Sequence, residues 1–244
     1  MSFKVVIPAR YASSRLPGKA LLEINNKPII QYVYENASAS GADEVIIATE
    51  DERIAEVVTK FNGIYCLTSD LHRSGTDRIA EVAKIKNWND DVVIVNLQGD
   101  EPQMPSENIK QVAENLIKHA QVSMSTLCAG ITNEADFLNP NVVKVIFDVN
   151  HLALNFSRQV EKLNCKIPVT DLTIVFRHLG IYAYQVGFLN TFTSLSPSSH
   201  EKKESLEQLR ALQNGYKIYV EECIAPTGIG VDTKEDYEIL QKLM

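Results

Sequence analysis

Val92-Val93-Ile94-Val95-Asn96-Leu97-Gln98-Gly99-Asp100 (VVIVNLQGD, 92–100) decides the fold. Its first six residues are apolar except for Asn96, with none of the polar–apolar alternation of a half-solvated strand. A strand of this kind must be covered on both faces, as in the interior of a parallel sheet. Working outward, residues 3–7, 44–49 and 64–68 also read as strands. The segments between them repeat with helical period: Ile54, Val57, Val58 and Phe61; Ile79, Val82 and Ala83; Ile109, Val112, Ala113, Leu116 and Ile117. Strand and helix in alternation predict an α/β fold with a mostly parallel, right-handedly wound sheet.

Beyond about residue 120 the pattern becomes mixed, as in a smaller lobe built on the first sheet. Residues 122–127, 142–147, 152–156, 179–184 and 217–223 read as strands, and 203–214 and 233–243 as helices. Residues 159–176 read as a loop or lobe connection. No Pro/Gly/Ser-rich linker divides the chain, so 1–244 is expected to be one domain, with an elaborated second half after about residue 120.

The chain carries 24 Lys and Arg against 31 Asp and Glu, a net charge of −7, which argues against a nucleic-acid or membrane-surface binder. Its apolar runs are strand-sized, too short to insert in a membrane, and Lys4 and Arg10 bracket a run too short for a signal peptide. Cys66, Cys128, Cys165 and Cys223 form no CxxC pair and read as reduced, structural thiols of a cytoplasmic protein.

Against this acidic background, residues 1–22 hold Lys4, Arg10, Arg15 and Lys19 and no acid. Pro8 ends the first strand, and the loop beyond it mixes three of those cations with Ser13, Ser14 and Gly18. Exposed backbone N–H groups, hydroxyls and fixed positive charge at a strand tip suit a polyphosphate. Singly these cations would be solvated surface charges; clustered without counter-charge they read as a cradle. Neither a Walker A spacing nor a dinucleotide fingerprint is present.

Asp100 follows the deciding strand, and ligands of wound sheets collect at the carboxyl ends of strands. Asp232 closes GIGVD just before a helix, where its simple role would be an N-cap, but Thr233 and Asp236 form a T-x-x-D capping pair that can take that role. Two carboxylates beside a polyphosphate cradle suit Mg²⁺. In LHRSGTDR (71–78), Ser74-Gly75-Thr76 either caps a helix or walls a nucleotide base or ribose, with Arg73 or Arg78 nearby. Elsewhere simpler readings compete: His178 as a core histidine, Tyr182 and Tyr184 as core strand tyrosines, and Glu201, Glu204, Glu207 and Arg210 as a charged helix stripe.

IPARYASSRLPGKAL (7–21), SGTDR (74–78), VNLQGDEP (95–102), VKVIFD (143–148), ALNFSR (153–158), RHLGIYAY (177–184), SLEQLRAL (205–212) and GVDTKEDYE (230–238) occur in the order found in 3-deoxy-manno-octulosonate cytidylyltransferases. The chain resembles that family from Phe3 to about residue 240. The resemblance implies a nucleotide-sugar-transferase-type α/β fold and a cytoplasmic homodimeric enzyme joining CTP to Kdo, an acidic eight-carbon sugar, with Mg²⁺, for lipopolysaccharide biosynthesis. By motif, Arg10, Ser13, Arg15 and Lys19 would hold the triphosphate, with Pro8 and Ala9 against the cytosine. Ser74, Gly75 and Thr76 would complete the nucleotide pocket, with Gln98 at the nucleotide–sugar junction. Asp100 and Asp232 would be metal ligands and, with Arg15 and Lys19, catalytic. Arg158, His178, Tyr182, Glu207 and Gln208 would form the sugar side, within a sugar-binding and dimerisation part over about 121–244. Departures cluster there: Asn155 stands where an aromatic is usual, and Ile167-Pro168 follows Arg158 late. A related acidic sugar, such as an amino-Kdo or a capsule-pathway substrate, is the alternative, and a non-catalytic nucleotide-binding protein a more distant one.

Overall fold

The structure is a computed structural model that describes residues 2–13, 15–72, 74–163 and 174–244. Strands β1 (Lys4–Pro8), β4 (Glu44–Thr49), β5 (Tyr65–Leu67) and β6 (Val93–Asn96) run parallel in the order β6-β1-β4-β5. A two-stranded hairpin, β2 (Glu23–Ile24) with β3 (Lys27–Pro28), precedes helix α1 (Ile29–Ala39). Helices α2 (Glu52–Lys60), α3 (Gly75–Ile85) and α4 (Ser106–Lys118) link or follow these strands.

The unbroken apolar runs are explained by the two faces they serve. Val5, Ile7, Val45, Ile47, Val93 and Val95 pack on one side with residues of α1, α2 and α4. Val6, Ile46, Ala48 and Ile94 pack on the other with Ile79, Val82 and Ala83 of α3. The chain moves outward from β1 to β4 and β5, then crosses back to β6 on the far side of β1. That reversal puts the carboxyl ends of β1 and β6 side by side, where wound sheets open a ligand crevice.

The second half extends the same sheet. Strands β7 (Met124–Gly130) and β10 (Phe176–Gln185) follow, with β10 antiparallel to both β6 and β7, and β11 (Ile218–Glu222) parallel to β7 at the edge. A side branch, β8 (Lys144–Phe147) and β9 (Ala153–Ser157), pairs onto β10 through β8. Helices α5 (Glu134–Leu138), α6 (Val186–Ser194), α7 (Ser199–Glu204), α8 (Gln208–Gln213) and α9 (Lys234–Leu243) complete the chain. Among the described residues no helix is long and apolar enough to cross a membrane.

Two expectations are corrected. Residues 203–214 are not one helix: Ser205 takes a left-handed φ of 54° between α7 and α8. The break is held by charge. Glu201 closes a capping box with Ser198 and also accepts from Arg210 Nε at 2.9 Å, folding α8 back toward α7. Nor are Glu201, Glu204 and Arg210 a solvated stripe, since all three are buried. Helices α1, α5 and α6 are additions to the sequence reading. Of the expected 159–176 loop, 160–163 forms a short 3-10 turn and 176 opens β10. Asn155 donates from Nδ2 to the Lys162 carbonyl at 3.1 Å, holding that turn. Ser14, Arg73, Cys165 and Ile167-Pro168 lie outside the described residues; Cys66, Cys128 and Cys223 are free thiols.

Candidate active site

The tip of β1 is built by close backbone approach. A Cβ on Gly75 would stand 3.1 Å from Pro8 Cγ, and one on Gly99 would stand 3.0 Å from the Pro8 carbonyl oxygen. Glycine at both positions lets the start of α3 and the loop after β6 close on Pro8 and Ala9. Ser74 accepts from the Asp77 N–H at 3.1 Å as N-cap of α3, so this turn is a cap and a site wall at once.

From the loop after β1, Lys19 crosses to both aspartates. Its Nζ donates to Asp100 Oδ2, and to Asp232 Oδ1 at 3.1 Å, while Arg15 Nη2 lies 2.9 Å from the same Asp232 oxygen. Burial works to lower the Lys19 pKa, but Asp100 and Asp232 outweigh it and hold the ammonium above its ordinary value. Asp232 is free for this contact because the predicted capping pair forms: Thr233 Oγ1 accepts from Asp236 N–H at 3.2 Å, and Asp236 accepts from Thr233 N–H at 2.8 Å. The two acid-bearing loops are laced together. Val231 N–H donates to the Asp100 carbonyl at 2.8 Å, and Ile229 N–H to Gln103 Oε1 at 2.9 Å.

Two hollows meet at Gln98. One, of about 370 Å³, is walled by Ser74, Gly75, Thr76 and Glu207; Thr76 Oγ1 donates to Glu207 Oε2 at 2.7 Å. The other, of about 730 Å³, is lined by Arg15, Asp100, Asp232, Arg158, Arg177 and His178, among others. Arg10 is half-buried, and its Nη2 is a buried donor with no hydrogen-bond partner among the described residues. Ser13 is half-buried in the same loop; neither residue lines these hollows. Tyr182 stacks obliquely on His178 with centroids 5.4 Å apart, and burial, then Glu207, raises its pKa. Gln208 is buried in α8 and walls neither hollow.

His178 has its pKa lowered to about 3 by burial, so the ring is neutral near neutrality. Thr126 Oγ1 lies 2.7 Å from the Ile181 carbonyl, which takes its single hydrogen, and 3.0 Å from His178 Nε2. The ring must therefore donate from Nε2, leaving Nδ1 as its acceptor.

Sequence reasoning passed over several lining residues. Glu101 follows Asp100 and faces Gly230; burial, then the Asp100 charge, raises its pKa to about 8. Arg177 donates to Thr227 Oγ1 at 2.6 Å in the larger hollow. Both stood inside quoted tags, and only adjacency to Asp100 and His178 hinted at them. Among the described residues no group of three or more His, Cys, Asp or Glu is arranged for a metal.

A wound α/β sheet with a basic strand-tip loop, and a lysine held between two carboxylates at the topological switch, defines a nucleotidyltransferase. Residues 4–218 match the cytidylyltransferase family model. The chain belongs to the 3-deoxy-manno-octulosonate cytidylyltransferase family. It is 49% identical to 3-deoxy-manno-octulosonate cytidylyltransferase 2 of Actinobacillus pleuropneumoniae serotype 5b (strain L20), covering 100% of this chain and 99% of the relative. It is also 49% identical to the 3-deoxy-manno-octulosonate cytidylyltransferase of Vibrio vulnificus (strain YJ016), over 100% and 98%. A solved CMP:2-keto-3-deoxy-manno-octonic acid synthetase complexed with CTP superposes with a TM-score of 0.90 at 39% identity, over 100% of this chain and 98% of that one. A putative glucose-1-phosphate thymidylyltransferase from Bacillus anthracis, with a TM-score of 0.66 at 16% identity over 100% and 95%, shares the fold.

Proposed function

We propose that this chain transfers CMP from CTP to Kdo, releasing pyrophosphate, and so supplies the activated sugar for lipopolysaccharide synthesis. The observation that carries the reading is Lys19 joined to both Asp100 and Asp232 beside a basic loop, in a chain of this family. The sugar's anomeric oxygen attacks the α-phosphorus, the bond to the β-phosphate oxygen breaks, and the hydroxyl proton is released. Such transfer needs positioning and charge neutralisation more than covalent help. Arg10, Ser13, Arg15 and Lys19 grip the triphosphate, and Lys19 and Arg15 offset charge on the departing pyrophosphate. Pro8 and Ala9 lie against the cytosine, and Ser74–Thr76 with Gln98 bound the nucleotide.

Asp100 and Asp232 fit Mg²⁺. Their oxygens already converge on one cation, the Lys19 ammonium, and Mg²⁺ takes one or two carboxylates with phosphate and water. Mg²⁺ bound there would neutralise phosphate charge and acidify the sugar hydroxyl. On the sugar side, Arg158 is the cation for the sugar carboxylate. The neutral His178, with Nδ1 as acceptor, suits a sugar hydroxyl better than a second anion contact. Tyr182 and Gln208 back this wall, and Glu207 links it to Thr76. A cytoplasmic homodimer, with the sugar and dimer surfaces in about 121–244, completes the proposal.

Pyrophosphate release from CTP and Mg²⁺ with a panel of acidic sugars tests the reading. Turnover is expected with Kdo. Release with another sugar but not Kdo would overturn the substrate, and none with any sugar would overturn the activity.

A further inference from the structure

Lys144 is one of the largest fully buried side chains of the protein, with 0% exposure, and lies on β8 behind the larger hollow. Among the described residues no carboxylate stands within ion-pair distance of it. A buried ammonium is costly unless its hydrogens are placed on good acceptors. Here Nζ donates to two main-chain carbonyls, those of Asn139 at 2.5 Å and Arg158 at 3.1 Å. Asn139 and Arg158 both line the cavity, and among the described residues no other side chain donates to both carbonyls. An apolar residue would fill the volume of Lys144 without tying them.

Arg158 is held from its other sides as well. Its N–H donates to Glu204 Oε2 at 3.2 Å, its Nε to the Glu204 carbonyl at 3.0 Å and its Nη1 to the Pro140 carbonyl at 3.3 Å. A guanidinium has five N–H donors, and the structure shows two of them engaged, so the others remain for a ligand in the cavity that Arg158 lines. The clamp therefore holds the backbone, Nε and one hydrogen of Nη1, leaving the other three guanidinium hydrogens for a ligand.

We propose that Lys144 is a positioning residue for the acidic substrate: by tying the Asn139 and Arg158 carbonyls it sets the Arg158 fork at the place where the substrate carboxylate binds. The proposal rests on the reading of the larger hollow as the sugar side. It distinguishes Lys144 from the nucleotide grip, which is built on β1, α3 and the loop after β6.

Full-length Lys144→Met is assayed by pyrophosphate release, with Kdo varied at saturating CTP and CTP varied at saturating Kdo. CTP binding is measured in parallel by calorimetry. The KM for Kdo is expected to rise on the order of 10-fold to 100-fold, as when the support of a ligand-holding group is lost. The KM and Kd for CTP should stay within about twofold, which a general loss of structure would not allow. Arg158→Ala is the reference, and the double variant should lose little more than Arg158→Ala alone, because the two residues act as one unit. If Lys144→Met does not fold, Lys144→Gln, shorter but still a donor, is expected to raise the Kdo KM by about threefold or more. A Kdo KM unchanged by the Lys144 substitutions while Arg158→Ala raises it would overturn this inference alone. A Kdo KM unchanged by Arg158→Ala would overturn the sugar-side reading beneath it.

Discussion

Lowering the pH from 7.5 to 5.5 charges a histidine in the unfolded chain, where its pKa is about 6.5, but not His178 in the folded protein, where burial lowers it to about 3. The folded state then binds fewer protons than the unfolded state. Stability from His178 is full above the unfolded pKa and is lost as pH falls from about 6.5 toward about 3. Over the interval 7.5 to 5.5 the unfolded-state population of the charged form grows enough to cost about 1.4 kcal/mol. The folded value drops out, since anything below about 4.5 leaves the native ring neutral at pH 5.5. The ring edge that lines the cavity meets water, so about 1 kcal/mol is the expected cost. Urea denaturation at both pH values, followed by far-UV circular dichroism, measures it as the pH-dependent part of the difference between the native protein and His178→Gln. NMR of the ring should show no titration between pH 5 and 8. A ring titrating near 6.5, or a difference below about 0.3 kcal/mol, would refute the burial argument and restore an imidazolium as an anion partner.

Asp232→Asn should lower kcat by about 10²- to 10³-fold while the melting temperature stays within a degree or two, because Thr233 and Asp236 cap α9 without it. Gly99→Ala should destabilise the protein by about 1–3 kcal/mol in denaturant titrations, since the added methyl meets the Pro8 carbonyl oxygen, which is backbone and cannot step aside. Ser205→Gly should raise stability by about 0.5–1 kcal/mol, relieving a left-handed residue with a side chain, and thermal unfolding would show it. Unaltered or lowered stability there would mean that the Ser205 side chain stabilises the α7–α8 break.

The elements that could be read along the chain are those whose signal lies within a few residues. Strand 44–49 is found at its expected bounds because Val45–Thr49, all apolar or small, are buried, while Glu44 at its mouth is only partly buried and pairs with Lys4 and Lys86. The α9 boundary was legible because Thr233 and Asp236 meet across one helical turn. The α7–α8 break was not. Glu201 and Arg210, nine residues apart, pair only after the chain has turned back, and their spacing along an uninterrupted helix looks like a solvated stripe. Within the site, Asp100 was visible at the end of its strand, whereas Glu101 and Arg177 gained meaning only from what stands opposite them. Gln208 shows the reverse, a polar side chain in a family tag that the fold places behind the wall.

By itself the sequence determined a wound α/β chain, a basic, serine- and glycine-bearing loop at the tip of its first strand, and the family to which these tags belong. Period and capping follow from contacts between near neighbours, so they survive without the rest of the fold. Tertiary structure alone decided that Lys19, Asp100 and Asp232 share one point, although 81 and 213 residues separate the lysine from the two acids. It also decided that His178 is a neutral acceptor and that Lys144 is buried on two carbonyls. Those outcomes depend on which strands become neighbours and which charges lose their water. Sheet order and burial are properties of the packed whole, and no local stretch encodes them.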